Sequence, residues 1–474
     1  MVRLVLIAVL FVLSGLSSVS AADRPPNVVL ILIDDMSPSA LSCWGNRHVE
    51  TDHIDRLAKE GTRFTSFYVL PQCTPTRAAL LTGQNSPRNQ MWHVIGPYGY
   101  PYAPVTEPVY REHLSRDTFT LAKGFKSAGY ATGIAGKWHL TNNEDGHYVV
   151  LHQKASHHYG FDYSAPQSDP PGDHQRGDKG VDRLTDEAIG FMQRHKDKPF
   201  FLYLSHHTIH GPVLAPDALV EKYNAKGYPK EGVTNATYLA AIEHMDDSIG
   251  RLLAAIDDLK LRDDTIVLFL TDNGGVDTLF PSDPLRAGKG SIYEGGIRVP
   301  LIVRWPGKVT SGKTNDEPMH VVDLLPTLLE IAGAKTQADH VIDGQSLVKL
   351  WKGETKSLDR AIHFYLPLYD IRWGLTPCAA IRRGDLKLIE WFGDTIDLDD
   401  GRRHILGPRI EMYDVTNDIG ETRDLSQANP EQAADLRKEL RDWLKAQNAA
   451  IPGPNPNYDP ARALLEVRGK QSSQ

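Results

Sequence analysis

The sequence predicts an α/β fold: a large, mostly parallel sheet sandwiched by helices, followed by a smaller C-terminal α+β domain with an antiparallel sheet and one helix. Three observations carry this. Short apolar, β-branched runs such as Asn27-Val28-Val29-Leu30-Ile31-Leu32-Ile33 show no polar alternation, as strands buried on both faces require. Helical stretches separate several of these runs, which suits crossovers between parallel strands. Beyond residue 356 the strand candidates become shorter and alternate, and one long amphipathic helix follows. A chain of 474 residues can hold a large core and more than one domain. The expected division is a leader over 1–22, an α/β domain over 23–355 and the antiparallel domain over 356–474.

The N-terminus begins Met1-Val2-Arg3, runs apolar from Leu4 to Leu13 and turns small and polar through Ser20-Ala21-Ala22. That pattern predicts a secretory signal peptide cleaved near Ala21 or Ala22. The apolar run is short of a bilayer span, so the expectation is an exported protein, periplasmic or secreted, without a stable membrane span. The first strand, 27–33, ends on Asp34-Asp35. The stretch 51–61 reads as a helix: Thr51 caps it, Ile54, Leu57 and Ala58 share a face, and Gly61 stops it. Further buried strands are expected at 130–135, 200–205, 265–271 and 299–305, with helices at 118–128, 182–195 and 236–259. In the second region, strands are expected at 361–366, 378–382, 386–391 and 411–414. The helix over 430–447 would bury Ala434, Leu436, Leu440, Trp443 and Leu444. The Pro/Asn-rich tail after Ile451 is expected to be loosely held.

A formal net charge of −8 argues against a nucleic-acid partner, and a polyanionic substrate would need a local basic pocket. The candidate chemistry follows buried strands, where ligands bind in open α/β sheets. Asp34-Asp35 follows the first strand, Lys137-Trp138-His139 the second, His206, His207 and His210 the third, and Asp272-Asn273-Gly274-Gly275 the fourth. Alone, Asp-Asp is a cap or turn and Asp-Asn-Gly-Gly a tight turn. Together, Asp34, Asp35, Asp272 and Asn273 make an oxygen-only set suited to Ca²⁺ or Mg²⁺ rather than zinc. The run Cys73-Thr74-Pro75-Thr76-Arg77 reads as a helix start with Cys73 at the N-cap and Pro75 in the first turn, where dipole and Arg77 favour an anion. Its bland alternative is a small buried cysteine at a turn.

Cys73-Thr74-Pro75-Thr76-Arg77 followed by Ala78-Ala79-Leu80-Leu81-Thr82-Gly83 resembles the signature of the type I, formylglycine-dependent sulfatases of the alkaline phosphatase superfamily. Gly136-Lys137-Trp138-His139-Leu140 is similar to their Gly-Lys-Trp-His-Leu-Gly, with Thr141 for the last Gly. Thr208-Ile209-His210-Gly211-Pro212 is similar to their Pro-His-x-Pro, with Ile209 for the first Pro. Lys289 precedes Tyr293-Glu294-Gly295-Gly296-Ile297-Arg298-Val299-Pro300, which resembles a family segment almost letter for letter. Met412-Tyr413-Asp414 to Asp418-Ile419-Gly420-Glu421 resembles the C-terminal Leu-Tyr-Asp…Asp-Pro-x-Glu, with Ile419 for Pro.

The resemblance implies that a formylglycine-generating maturation enzyme converts Cys73 to an aldehyde whose hydrate is the nucleophile. It also implies one divalent ion, usually Ca²⁺, on Asp34, Asp35, Asp272, Asn273 and the modified Cys73. Arg77, Lys137 and Lys289 would hold sulfate and stabilise developing charge. His210 or Lys289 would protonate the leaving oxygen, and His139 or an Asp ligand would take the proton when sulfate is expelled. The implied activity is sulfate-ester hydrolysis on a sulfated carbohydrate. Phosphodiester or phosphonate monoester hydrolysis on the same scaffold is the alternative, and a non-catalytic glycan binder a third. With Cys73 consumed, Cys43 and Cys378 are left as a pair that could bond. Asn235-Ala236-Thr237 is a lone glycosylation sequon. His152, His157, His158 and His174 fit metal binding, substrate recognition or plain loop solvation, the last before the others, and Trp92, His93 and the tyrosines around 96–102 could offer a stacking surface to a sugar ring.

Overall fold

The computed structural model describes residues 24–94, 99–141, 145, 149–166, 177–397 and 403–466. The expected leader and His174 lie outside the described residues. In chain order the first strands are β1 (Asn27–Ile33), β2 (Thr62–Tyr68), β3 (Val105–Thr106), β4 (Ala131–Gly136), β5 (Tyr163–Ser164), β6 (Phe200–Ser205), β7 (Thr265–Thr271), β8 (Arg298–Arg304), β9 (Lys313–Asn315) and β10 (Met319–His320). All but β3 form one sheet in the order β10-β2-β8-β7-β1-β6-β4-β5, with β9 also pairing β2. Pairing is parallel except at β8, which runs antiparallel to both β7 and β2. The α/β prediction holds, with β8 making the sheet mixed. The short edge strands and β2 have no continuous apolar run, and sequence reading passes over them.

The apolar run of β1 is used on both faces. Val28, Leu30 and Leu32 enter one core, and Val29, Ile31 and Ile33 enter the other. The second core is closed by the helices Asp52–Glu60, Val181–His195 and Ala236–Asp258. The first is closed by Cys73–Thr82, Leu121–Ser127 and Leu324–Ala332, and it continues without a break into the C-terminal sheet.

That second sheet is antiparallel: β11 (Ala361–Leu366), β12 (Cys378–Arg383), β13 (Leu386–Trp391) and β16 (Arg409–Asp414), in that order. A hairpin of β14 (Asp394–Asp397) and β15 (Arg403–Leu406) intervenes, and the Pro430–Ala446 helix packs on the sheet. Its buried residues are Ala433, Leu436, Leu440 and Leu444, a spacing that follows one helical face. Ala434 is exposed, and Trp443 is half-buried and stacks on His363 at 4.6 Å.

Several local expectations are corrected. Thr51 makes no capping bond; the first free N–H groups of the Asp52–Glu60 helix, on His53 and Ile54, are met at 3.0 and 2.8 Å by Asp246, nearly two hundred residues away. Asn235 of the sequon is buried and caps its own helix by accepting from Tyr238 N at 2.8 Å. Cys43 and Cys378 are separate free thiols. The tail is tied down: β17 (Gly453–Pro454) pairs with β3, and Arg462 lies over the Tyr102 ring at 3.7 Å. The aromatic stretch is largely internal, since Trp92 packs on Tyr365 and Tyr100 on Tyr369.

Candidate active site

The carboxyl ends of β7, β1, β6 and β4 lie side by side, so their following residues converge. Asp34 and Asp35 leave β1, with Asp35 in the left-handed region at φ 62°. Asp272 and Asn273 leave β7, and Asp272 N–H donates to Ile33 O at 3.0 Å. Lys137 follows β4 through Gly136, whose φ is +107° and whose missing Cβ would lie 1.8 Å from Ser205 O. No other residue fits there.

The Cys73–Thr82 helix aims its N-terminus at this point, and every residue in it is buried. Gln72 is the N-cap and Cys73 the first helical residue, one position further in than the sequence suggests. Cys73 Sγ lies 3.4 Å from Asp34 Oδ1, 3.8 Å from Asp35 Oδ1 and 3.7 Å from Lys289 Nζ. Lys137 Nζ donates to Asp34 Oδ2 at 2.7 Å, and Lys289 Nζ to Asp35 Oδ2 at 2.7 Å. Asn273 Nδ2 donates to Asp35 Oδ1 at 2.8 Å.

Arg77 is fully buried and already engaged. Its Nε and one terminal nitrogen donate to Asp272 Oδ2 at 2.9 and 2.7 Å, and the other reaches Lys137 O at 3.0 Å and Ser205 Oγ at 2.6 Å. His139 sits at φ 59°, its carbonyl accepting from Thr74 Oγ1 at 3.1 Å. His210 is the most open of the set. Its Nδ1 donates to Gly211 O at 2.7 Å, which leaves Nε2 facing Asp35 Oδ2 at 3.8 Å. All ten residues singled out by sequence are thus brought together on one side of the sheet.

The electrostatics are those of a crowded site. Burial pushes the Asp34 carboxyl up, but Lys137, His210, Arg77 and Lys289 outweigh it and hold Asp34 well below the usual range. Asp272 is pushed up to about 6 by burial and by the charge on Asp34, against the pull of Arg77. Burial and Asp272 push the Cys73 thiol well up, so that as a cysteine it is a protonated, weak nucleophile. Burial and the cations Lys137 and Arg77 hold His139 well down.

The donor set fits a hard divalent ion. Ligand atoms of Asp34, Asp35, Cys73 and Asp272 lie within 4.8 Å of one another, all buried. Asn273 Oδ1 is buried with no hydrogen-bond partner, an idle acceptor beside three carboxylates.

Lys289 is carried by a loop held from both sheets. Its N–H donates to Gly275 O at 2.8 Å, and the Gly274 turn approaches so closely that a Cβ there would lie 1.7 Å from Gly295 O. Glu294, fully buried at the start of the short Glu294–Ile297 helix that follows this loop, accepts from Tyr68 OH at 2.6 Å and from Lys387 Nζ of β13 at 3.1 Å. Lys387 also donates to Glu421 at 2.8 Å, so the Ile419-bearing C-terminal motif reaches the segment that carries Lys289.

Sequence reading missed Lys179, which has no motif around it. Its ammonium donates to His210 O, and it is pushed down to about 8 by burial and by Lys137 and Lys289, against the pull of Asp34 and Asp35. It also missed Gln72, whose amide donates to Asp370 Oδ2 of the C-terminal region at 2.6 Å.

Fold and site together define the class: an alkaline-phosphatase-like α/β scaffold with an acidic donor set beneath a helix N-terminus. Comparison with known proteins narrows it. The sulfatase family model matches residues 26–334, and the model for the C-terminal part of N-sulphoglucosamine sulphohydrolase matches 288–450. Arylsulfatase A of Homo sapiens is 34% identical over 413 residues, covering 79% of this chain and 76% of that one. A sulfatase of Formosa agariphila is 29% identical over 517 residues, covering 90% of each. The solved structure of Ps i-CgsB in complex with k-i-k-neocarrahexaose superposes with a TM-score of 0.72 at 25% identity, covering 93% of this chain and 96% of that one. The chain belongs to the sulfatase family of sulfuric ester hydrolases.

Proposed function

We propose that this protein is an exported sulfatase that hydrolyses a sulfate ester on a sulfated carbohydrate, using formylglycine derived from Cys73 and one divalent ion, Ca²⁺ or Mg²⁺. The observation that carries the reading is the buried set of Asp34, Asp35, Asp272 and the idle Asn273 Oδ1 around Cys73, with Lys137 and Lys289 beside it. The carbohydrate substrate is supported by relatives: N-acetylgalactosamine-6-sulfatases of Mus musculus and Homo sapiens are 33% and 32% identical. Export is supported by the leader-like N-terminus, and among the described residues no helix is long and apolar enough to cross a membrane.

When bound, the ion polarises sulfate, and the hydrated aldehyde supplies a hydroxyl nucleophile with a second hydroxyl able to expel sulfate. The chain does the rest. Lys137 and Lys289 fix Asp34 and Asp35 and set positive charge next to position 73, where sulfate charge must be screened. Arg77 positions Asp272 through Nε and one terminal nitrogen, and its other nitrogen is spent on Lys137 O and Ser205 Oγ. His210 is placed at the open side, where the departing sugar oxygen needs a proton, and Lys289 is the other donor within reach of that side. His139, held neutral by its surroundings, is suited to accept a proton. The net reaction consumes one water and yields an alcohol and inorganic sulfate.

The test is release of free sulfate from a panel of sulfated mono- and polysaccharides by protein co-expressed with a formylglycine-generating enzyme, with Cys73→Ala as control. Release should fall by a factor on the order of 10³ or more in the variant. Turnover of phosphodiesters or phosphonates in place of every sulfate ester, with aldehyde at position 73 confirmed by mass spectrometry, would move the assignment to the other hydrolases of this scaffold. A phosphonate monoester hydrolase of Agrobacterium radiobacter shares the fold, with a TM-score of 0.65 at 19% identity.

A further inference from the structure

A cavity of about 370 Å³ lies where β10, β11 and the end of the Pro430–Ala446 helix meet the 342–345 loop. That volume falls among small-molecule sites, which run from about 300 to 1,000 Å³. The cavity is separate from the catalytic centre. Its strand β10 stands four positions from β1 in the large sheet, about 19 Å at about 4.8 Å per strand.

The lining concentrates polar atoms that have nothing to bind. His320 Nε2, Gln345 Nε2, Arg360 Nε, His363 Nε2 and Gln447 Oε1 are buried atoms with no hydrogen-bond partner among the described residues, and all five residues line this one cavity. Buried polar groups without partners are uncommon in native folds, so five around one space call for a ligand.

The charges here are already matched. Arg360 pairs with the completely buried Asp323 at 2.7 Å, and Asp343 accepts from Arg88 and from Asn85 N–H, each at 2.9 Å. Burial, with Arg360, pushes His320 down to about 3, and burial holds His363 at about 4 against the pull of Glu439, so both rings are neutral. An ion entering the cavity would meet no uncompensated opposite charge.

The idle atoms instead make a mixed set. Gln345 Nε2 and Arg360 Nε donate. Gln447 Oε1 accepts, its orientation fixed because Nε2 of the same amide donates to Asp343 Oδ1 at 3.2 Å. A nitrogen of a neutral imidazole does one or the other. Neighbouring hydroxyls, each both donor and acceptor, match such a lining, whereas a carboxylate or sulfate can only accept. One wall is the ring of His363 stacked on Trp443 at 4.6 Å and 6°, an aromatic surface against which the C–H face of a sugar can lie.

We propose that this cavity is a non-catalytic carbohydrate site that takes an uncharged sugar residue through its hydroxyls. The inference rests on the chemistry of the lining and goes beyond the sulfatase reading, which concerns another part of the fold. A polymeric substrate would be held here at a point remote from the ester being cut.

The test mixes the full chain carrying Cys73→Ala with glucose, galactose, mannose, N-acetylglucosamine and N-acetylgalactosamine, and reads binding by saturation-transfer difference NMR and titration. At least one of these uncharged sugars should bind. Gln345→Ala and Gln447→Ala should each weaken it by about fivefold, the worth of one hydrogen bond. Both side chains are half-buried, and circular dichroism checks that the variants fold. In protein that keeps Cys73, the same two substitutions should leave sulfate release from a small aryl sulfate unchanged. The sugar titration reads the cavity whether or not sulfate esters are cleaved, so the two readings fail separately. No sugar bound by the parent, binding equal in parent and both variants, or inorganic sulfate or acetate held at this cavity in place of every sugar would overturn the proposal.

Discussion

Lys387→Met should destabilise the protein by about 3 kcal/mol, and the route by which it does so is checkable. The Lys387 ammonium is completely buried and makes three donations: Ile292 O at 2.8 Å, Glu294 Oε1 at 3.1 Å and Glu421 Oε1 at 2.8 Å. Breaking a buried ion pair from one side costs about 3–5 kcal/mol, because a charge is left unpaired. The low end applies here for two reasons. Glu294 keeps Tyr68 OH at 2.6 Å and Arg298 at 3.3 Å. Glu421 keeps the N–H of Glu294 at 2.6 Å and sits at about 7, raised by burial against the pull of Lys387, so it takes up a proton readily. Equilibrium unfolding in urea, followed by tryptophan fluorescence, reads the change, since Trp391 lies in the same strand. The double variant Lys387→Met/Glu421→Gln removes the orphaned charge and should recover about 2 kcal/mol of the loss. A double variant no more stable than Lys387→Met alone would refute the reasoning. Sulfate release should fall in Lys387→Met as well, because the Glu294–Ile297 helix anchors the loop that carries Lys289.

The same network predicts a pH signature. Glu421 is raised from 4.5 to about 7, chiefly by burial and then by the charge of Glu294, so its stabilising contribution is complete below pH 4.5 and lost as pH rises through 7. Relative to wild type, Glu421→Gln should therefore be more stable at pH 8 than at pH 5 by about 2.5 kcal/mol, read from urea unfolding at both pH values. Metal removal should destabilise: with three carboxylates buried around Cys73, Ca²⁺ at about 100 times its Kd should add about 2.7 kcal/mol over chelated protein, measured as a shift in the unfolding midpoint. An unchanged midpoint would mean that the acidic set holds no ion. Asp246→Ala should cost about 1–2 kcal/mol by releasing the N–H groups of His53 and Ile54, and Thr51→Ala should not reproduce that loss by way of a cap.

Much of this protein was legible before any coordinates. The β1 run is apolar on both faces because both faces are buried, and local composition carries that information. The motif residues were legible for a related reason: strand ends in an α/β sheet are marked by where an apolar run stops, and Asp34, Lys137, His206 and Asp272 each follow such a stop. What local sequence lacks is partner choice. Arg77 reads as an anion-binding guanidinium, and only packing shows it spent on Asp272, Ser205 and Lys137 O. Thr51 reads as a cap, yet Asp246 supplies the acceptor from another helix. Lys179 carries no motif and arrives at His210 by folding alone. Charge pairing and capping depend on distances of a few ångströms between residues hundreds apart in sequence, and the tertiary structure alone sets those distances.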